Sequence, residues 1–302
     1  MPDTGFAHTF HEGVFLAGER VLIVDDRRRS QVIELRPGTI TGTHHGALHH
    51  DRVIGALPGS KIRTQKDKVF IVARPSVAEA IVAMPRGAQV IYPKDLGQIL
   101  MAADIRPGLR VLESGVGSGA LSMALLNAGA IVTGYEIRED FANRARNNVR
   151  SYLGEKALIN YHLELRDIYL GIEGDPFDRV VLDLPEPWLV LAHLGQSLKP
   201  GGIVLAYQTS VSQLGSFRSE LVRLGFVLPD TVEVLTRNWY YSRQALRPEH
   251  RMVGHTGFLT WARVGPDTCS GASVSEPSSL TDSIEAEAQS RSIADEIATE
   301  LL

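Results

Sequence analysis

Fifteen residues, PGLRVLESGVGSGAL at 107–121, constrain the fold of this chain more than any other stretch. Arg110-Val111-Leu112-Glu113 is a short, largely apolar run of the kind that forms a buried strand. Gly115, Gly117 and Gly119 then bar regular structure until Ala120 and Leu121 open a helix. A tight turn between strand and helix needs backbone conformations that side chains forbid, and it lets a ligand approach the main chain closely. The N–H groups left free where the helix begins favour an anionic or strongly polar ligand.

The glycine pattern alone leaves the ligand open. Gly115-x-Gly117-x-x-Ala120 satisfies the dinucleotide fingerprint in its Ala-terminated form, so a nicotinamide or flavin enzyme is one reading. Glu113, two residues before the first glycine, tilts the choice. A carboxylate there repels a pyrophosphate but accepts a hydrogen bond from a cationic amino-acid group, such as the one S-adenosylmethionine carries. Three later segments read as strands that also lead to acids: 131–135 to Glu136, 161–165 to Asp167, and 180–182 to Asp183. Helical segments at 139–150 and 211–224 and a strand at 203–207, after the Pro200-Gly201-Gly202 turn, complete an alternation that predicts a parallel sheet wrapped by helices. Ligands bind at the carboxyl ends of such strands. Glu136, 17 residues beyond Gly119, is placed to take both ribose hydroxyls of an adenosine, and Asp167 to accept from the adenine amino group. Runs at 231–239 and 256–264, with no clear helix between them, predict an antiparallel pair at the sheet edge, with Arg237, Arg243, Arg247 and Arg251 between or beside them.

Asp183-Leu184-Pro185-Glu186-Pro187-Trp188 follows the fourth strand, and its two prolines hold an extended loop that presents Asp183 rigidly. A carboxylate there accepts from an exocyclic amine, leaves the adjacent ring nitrogen's lone pair for attack, and offsets the charge that alkylation creates. The plainer reading is a turn with a packing tryptophan. Tyr92 precedes Pro93 and is therefore extended, which projects its ring, ahead of an apolar helix through Ile99 and Met101. Before it, residues 76–84 have helical spacing and bridge two regions.

Residues 14–75 alternate short apolar runs with turn signals and predict a small β-domain. Its histidine-rich segment at 43–51 has no carboxylate or cysteine constellation to complete a metal site, and reads as a loop that packs on polar neighbours or contacts RNA phosphate. Arg27-Arg28-Arg29, with Lys61, Arg63, Lys66 and Lys68, fall in turns and together form a surface suited to tRNA. The net charge of −4 hides a division: from Pro266 onward eight acids face one base, Arg291, which leaves residues 1–265 at +3. Cys269 is the single cysteine and excludes an internal disulfide. No apolar run approaches the roughly 20 residues of a membrane span, and the expectation is a soluble, cytoplasmic protein.

The chain resembles the tRNA adenine-N1 methyltransferases that modify T-loop adenosine 58. The resemblance runs from His44 to Leu259 through HHGALHHDRVIG, MPRGAQVIYPKD, VLESGVGSGAL, YEIRED, DLPEPW and RMVGHTGFL. The second, fifth and last are specific to that family, whereas the glycine loop is common to methyltransferases. Ser114 and Val116 depart from the residues commoner there. The resemblance implies an α/β fold: a small tRNA-contacting β-domain at 1–75 and a class I, Rossmann-like methyltransferase domain with a mostly parallel seven-stranded sheet at 76–265. An acidic, disordered tail at 266–302, with a weak helix at 292–301, completes the expectation. It also implies S-adenosylmethionine, tRNA and a homotetramer, with neither membrane nor metal. Carried onto matching positions, Glu113, Gly115, Val116, Gly117, Ser118, Gly119, Glu136, Asp167 and Asp183 line the cofactor. Asp183 sits at the reacting adenine, Tyr92 stacks on or orients it, and the adenine is flipped out to reach them. A nicotinamide-dependent oxidoreductase accounts only for the glycine loop and Glu136. Retention of the whole glycine loop and Asp183 speaks against a catalytically silent RNA-binding subunit.

Overall fold

The computed structural model describes residues 13–87, 89–242 and 244–270. Six strands form the N-terminal β-region: β1 (Arg20–Val24), β2 (Ser30–Glu34), β3 (Ile40–Thr43), β4 (Gly46–His49), β5 (Lys61–Arg63) and β6 (Val69–Ala73). Four make an antiparallel sheet in the order β2-β1-β6-β5, and β3 pairs with β4. On β6 the period of two sets the packing: Phe70 and Val72 are buried, and Ile71 between them is exposed. With Phe15, Leu35 and Leu48 they close a core of their own.

The histidine-rich segment is this β3–β4 hairpin rather than a loop, turning at Gly46, where φ is +99°. Its side chains do pack on polar neighbours. His50 is buried, its Nδ1 accepts from the Arg36 N–H at 3.0 Å, and its Nε2 meets the Thr41 hydroxyl at 2.7 Å. Contrary to the sequence reading, carboxylates do approach it: His45 Nε2 lies 3.3 Å from Asp25 and 3.7 Å from Asp26. They come from the β1–β2 turn, which sequence distance conceals. Asp25 already accepts from two main-chain N–H groups and from Arg29 Nε, and Arg29 donates to His45 Nε2 at 2.8 Å. Guanidinium hydrogens therefore occupy lone pairs that a cation would need.

A capping box, Ser76 with Glu79, starts α1 (Val77–Ala83), and Pro93 at the first turn starts α2 (Pro93–Ala102). Then come β7 (Arg110–Ser114), α3 (Ala120–Asn127), β8 (Ile131–Glu136), α4 (Glu139–Leu153), β9 (Tyr161–Leu165), β10 (Phe177–Leu182), α5 (Leu194–Ser197), β11 (Leu198–Gln208) and α6 (Val211–Arg223). The described residues then give β12 (Val227–Glu233), the hairpin β13 (Trp239–Tyr241) with β14 (Leu246–Pro248), and β15 (Phe258–Arg263). Seven strands order as β12-β15-β11-β10-β7-β8-β9, parallel from β11 to β9, with β15 antiparallel to both β11 and β12. Successive residues feed opposite faces. Val111 and Leu205 pack beneath α1 to α4, whereas Leu112 and Val204 pack beneath α5 and α6, all four fully or almost fully buried. Each such side chain contributes roughly 1.5–3 kcal/mol. Among the described residues no helix is long and apolar enough to cross a membrane.

Three boundaries differ from expectation. β11 begins at Leu198, and the Pro200-Gly201-Gly202 turn is looped out of it as the register jumps from Phe177↔Leu198 to Arg179↔Ile203. The 231–239 run is split: Glu233 ends β12, and Trp239 belongs to a separate exposed hairpin. Residues 266–270 still pack on the fold, Cys269 N–H donating to the Leu224 carbonyl and Thr268 to that of Gly225. Arg243 and residues 271–302, including the helix expected at 292–301, lie outside the described residues.

Candidate active site

Four acids stand at the carboxyl ends of adjacent strands, as their sequence positions require. On β7 the chain leaves Ser114 into Gly115 (φ +85°), Gly117 (φ +55°) and Gly119. Gly115 is pressed against the next strand's exit: a Cβ there would stand 1.9 Å from the Asp183 carbonyl oxygen. At Gly117 a Cβ would meet nothing nearer than 3.9 Å, so its missing side chain leaves open space rather than relieving a clash. The two loop residues with side chains engage protein with them. Val116 is buried against Gly134, and the Ser118 hydroxyl accepts from the Gly87 N–H at 3.4 Å. Main chain is what the loop offers a ligand.

Glu136 stabilises the loop from β8. One of its carboxylate oxygens accepts from the Gly117 N–H and the other from the Arg138 N–H, both at 3.0 Å. Glu113, on β7, is fully buried; its Oε2 accepts from the Ser122 hydroxyl at 2.7 Å, and that oxygen accepts from Tyr161 at 2.8 Å. Its Oε1 has no hydrogen-bond partner among the described residues. Burial, with the nearby negative charges of Asp183 and Glu136, pushes its carboxyl up to about 8. Asp167 is half-buried and caps a short 3-10 turn, Oδ1 accepting from the Tyr169 N–H at 2.9 Å.

Asp183 joins the fourth strand to the proline-bounded loop. Its N–H extends the β10–β7 ladder to the Ser114 carbonyl at 2.9 Å, while its carboxylate has no hydrogen-bond or ion-pair partner among the described residues. Burial pushes that carboxyl up to about 7. The loop beyond is tied down twice: Gln213 Nε2 donates to the Pro185 carbonyl at 2.8 Å, and the Glu186 N–H donates to the Tyr169 hydroxyl at 3.2 Å. Gln213 Oε1 meanwhile accepts from the Thr209 N–H, so one amide joins the loop to the start of α6.

Tyr92 is half-buried and extended (φ −75°, ψ 153°), as its place before proline dictates. Behind it lies a network that sequence reasoning missed. Lys94 Nζ donates to fully buried Asp95 at 2.7 Å, to the Val234 carbonyl and to the Thr256 hydroxyl, which in turn donates to Asp95 at 2.8 Å. Tyr207 donates to the Thr256 carbonyl at 2.6 Å. Its hydroxyl is pushed up to about 12, by burial first and then by Asp95, with Asp183 and Tyr92 also close enough to contribute. The only sequence sign of this network was that two family motifs, MPRGAQVIYPKD and RMVGHTGFL, each carry part of it.

Comparisons agree with this geometry. The family model described as tRNA methyltransferase complex GCD14 subunit matches residues 70–247, and one described as TrmI-like N-terminal matches residues 13–62. The tRNA (adenine(58)-N(1))-methyltransferase TrmI of Thermus thermophilus is 34% identical over 251 residues, covering 80% of this chain and 96% of that protein. A Methanocaldococcus jannaschii relative named for adenines 57 and 58 is 33% identical, covering 69% and 83%. Among solved structures, a SAM-dependent O-methyltransferase from Thermotoga maritima superimposes with a TM-score of 0.80 at 30% identity, covering 84% of this chain and 95% of that one. The tRNA (m1A58) methyltransferase TrmI of Aquifex aeolicus gives 0.74 at 30%, covering 83% and 98%. With both its β-region and its catalytic sheet matched, the chain belongs to the GCD14 subunit family of tRNA methyltransferases.

Proposed function

We propose that this chain transfers a methyl group from S-adenosylmethionine to N1 of adenosine 58 in the T-loop of tRNA. The observation that carries the reading is Asp183, a desolvated carboxylate at the rim with no partner among the described residues, whose main chain is packed against Gly115 of the glycine loop. Family membership supports both the donor and the nucleic acid.

The residues present fit the donor. Glu113 Oε1 is a buried acceptor without a partner among the described residues, matched to an ammonium group. Main chain from Gly115 through Val116, Gly117 and Ser118 to Gly119 would hold it. Glu136 and Asp167 each spend some lone pairs on main-chain N–H groups and keep others for the ribose hydroxyls and the adenine amine. S-adenosylmethionine supplies an electrophilic methyl group on a cationic sulfur. Asp183 accepts from the 6-amino group of the target adenine, which orients N1 with its lone pair free, so no proton has to leave before attack. The same carboxylate offsets the positive charge that N1 gains. Tyr92 stacks on or orients the base, which is extruded from the tRNA elbow to reach it.

In this reading residues 1–75 contact tRNA, residues 76–265 form the catalytic domain, and residues 266–302 are an acidic tail. The enzyme is a cytoplasmic homotetramer, for which the β13–β14 hairpin offers an apolar surface in exposed Trp239, Tyr241 and Leu246. The test compares methyl incorporation into unmodified tRNA by the wild type and Asp183→Ala. A loss of a few orders of magnitude, with S-adenosylmethionine still bound, is expected; equal turnover would remove Asp183 from the chemistry.

A further inference from the structure

A second polar site lies away from the strand-end acids, at the seam between the β-region and α4. It is a cleft of about 390 Å3 with Arg20 of β1 on one wall and Asn143, Arg144, Asn147 and Ser151 of α4 on the other. Asn143, Asn147 and Ser151 recur every four residues and so form one row along the helix.

The row presents donors. Asn147 Oδ1 is engaged by Arg150 Nη1 at 3.2 Å, which leaves its NH2 end for the cleft. Arg144 is half-buried, yet its guanidinium has no hydrogen bond or ion pair among the described residues. It rests 5.4 Å from the centre of the Phe141 ring and lies against Gly87, where a Cβ would stand 1.8 Å from Nη1. Arg20 stacks on Tyr152, its Cζ 4.6 Å from the ring centre, and reaches Glu34 only at 4.0 Å. Asp140, the one acid on the wall, is already held by both Arg138 nitrogens, at 3.0 and 3.2 Å. Two guanidiniums with donors to spare, a ladder of amides and a hydroxyl, and a compensated acid call for an anion with several acceptor oxygens. The cleft floor is also tied to the glycine loop: Asn148 Nδ2 donates to the Pro85 carbonyl at 3.0 Å and to that of Ser118 at 2.9 Å.

We infer that this cleft binds a phosphodiester of the tRNA backbone, gripping the substrate between the β-region and α4 at the edge of the glycine loop. The inference rests on the tRNA reading above and names where the nucleic acid is held. The site is independent of the Arg27-Arg28-Arg29 turn, whose Arg29 is committed to Asp25.

The experiment measures tRNA affinity across a salt series for the full chain, Arg20→Gln, Asn147→Asp and a control, Arg223→Gln, which removes an arginine paired with Glu220 on α6. Asn147→Asp keeps the acceptor for Arg150 and places a carboxylate in the cleft. It is expected to weaken tRNA binding by roughly tenfold or more at low salt, and Arg20→Gln to lower the slope of log K against log salt by about 1. The control should change neither, and S-adenosylmethionine affinity and melting temperature verify that each variant is folded. Unchanged tRNA affinity and slope in both cleft variants would overturn the inference. So would a loss of binding confined to a free nucleotide such as ATP, which would make the cleft a site for a small phosphate rather than for RNA. Methyl incorporation by the wild type is scored separately: cleft-dependent tRNA binding without methyl transfer would strike the catalytic reading and leave the cleft standing.

Discussion

At the rim Glu113 is fully buried and Asp183 is partly exposed, and they differ in their partners. Among the described residues Glu113 has a hydroxyl on one oxygen and nothing on the other, and Asp183 has neither oxygen occupied. Their carboxyls, raised to about 8 and about 7, hold protons that the unfolded chain releases near pH 4. A folded state that binds more protons than the unfolded one loses stability as pH rises, here between about 4 and 8. Replacing Glu113 by Gln should therefore gain in melting temperature relative to the wild type as pH is raised from 6 to 9 without ligand. A constant difference across that range would contradict the assignment. For Asp183 the ionised form is the one that accepts from an amine, so kcat/KM for tRNA should rise with pH through about 7 and level off above it. A flat profile would mean that Asp183 is already ionised in the free enzyme or takes no part. The four strand-end acids were legible in the sequence because each directly follows or closely trails an apolar run. Ser122 of α3, which donates to Glu113, and Tyr161 of β9, which donates to Ser122, were not, because their relation to it is only through space.

At the level of elements, α2 and the segment leading into β15 meet at one buried ion pair. Lys94 and Asp95 begin α2, and Thr256 reaches them from 161 residues along the chain. Removing one member of a buried pair strands the other's charge. Lys94→Met is expected to destabilise the fold by about 3–5 kcal/mol, read by denaturant unfolding, and to loosen Tyr92 beside it. A cost under about 1 kcal/mol would show that the pair contributes little to the fold. The central parallel strands β7 and β10 were readable because both faces are buried and their sequences are largely apolar runs. The ends of the sheet were not: the glycine turn looped out of β11 and the break between β12 and the β13 hairpin depend on register, which composition does not encode. The β3–β4 hairpin was missed because its strands are only four residues long and glycine, alanine and histidine, poor strand signals, make up most of β4 and the turn before it.

As a whole, the molecule joins a small β-region with its own core to a seven-stranded catalytic sheet, and an excess of positive charge over residues 1–265 is masked by the acidic C-terminal stretch. That order of parts was visible in the sequence. What the sequence hid was how the parts touch, through the 85–87 turn that Asn148 ties to the glycine loop and through the polar cleft beside it. The most direct measurement is position mapping of the methylated nucleoside after the purified chain acts on unmodified tRNA with an isotopically labelled methyl donor. Label recovered as 1-methyladenosine at position 58 is the expected result. Label on a hydroxyl or at another nucleoside, or none at all, would contradict the central claim.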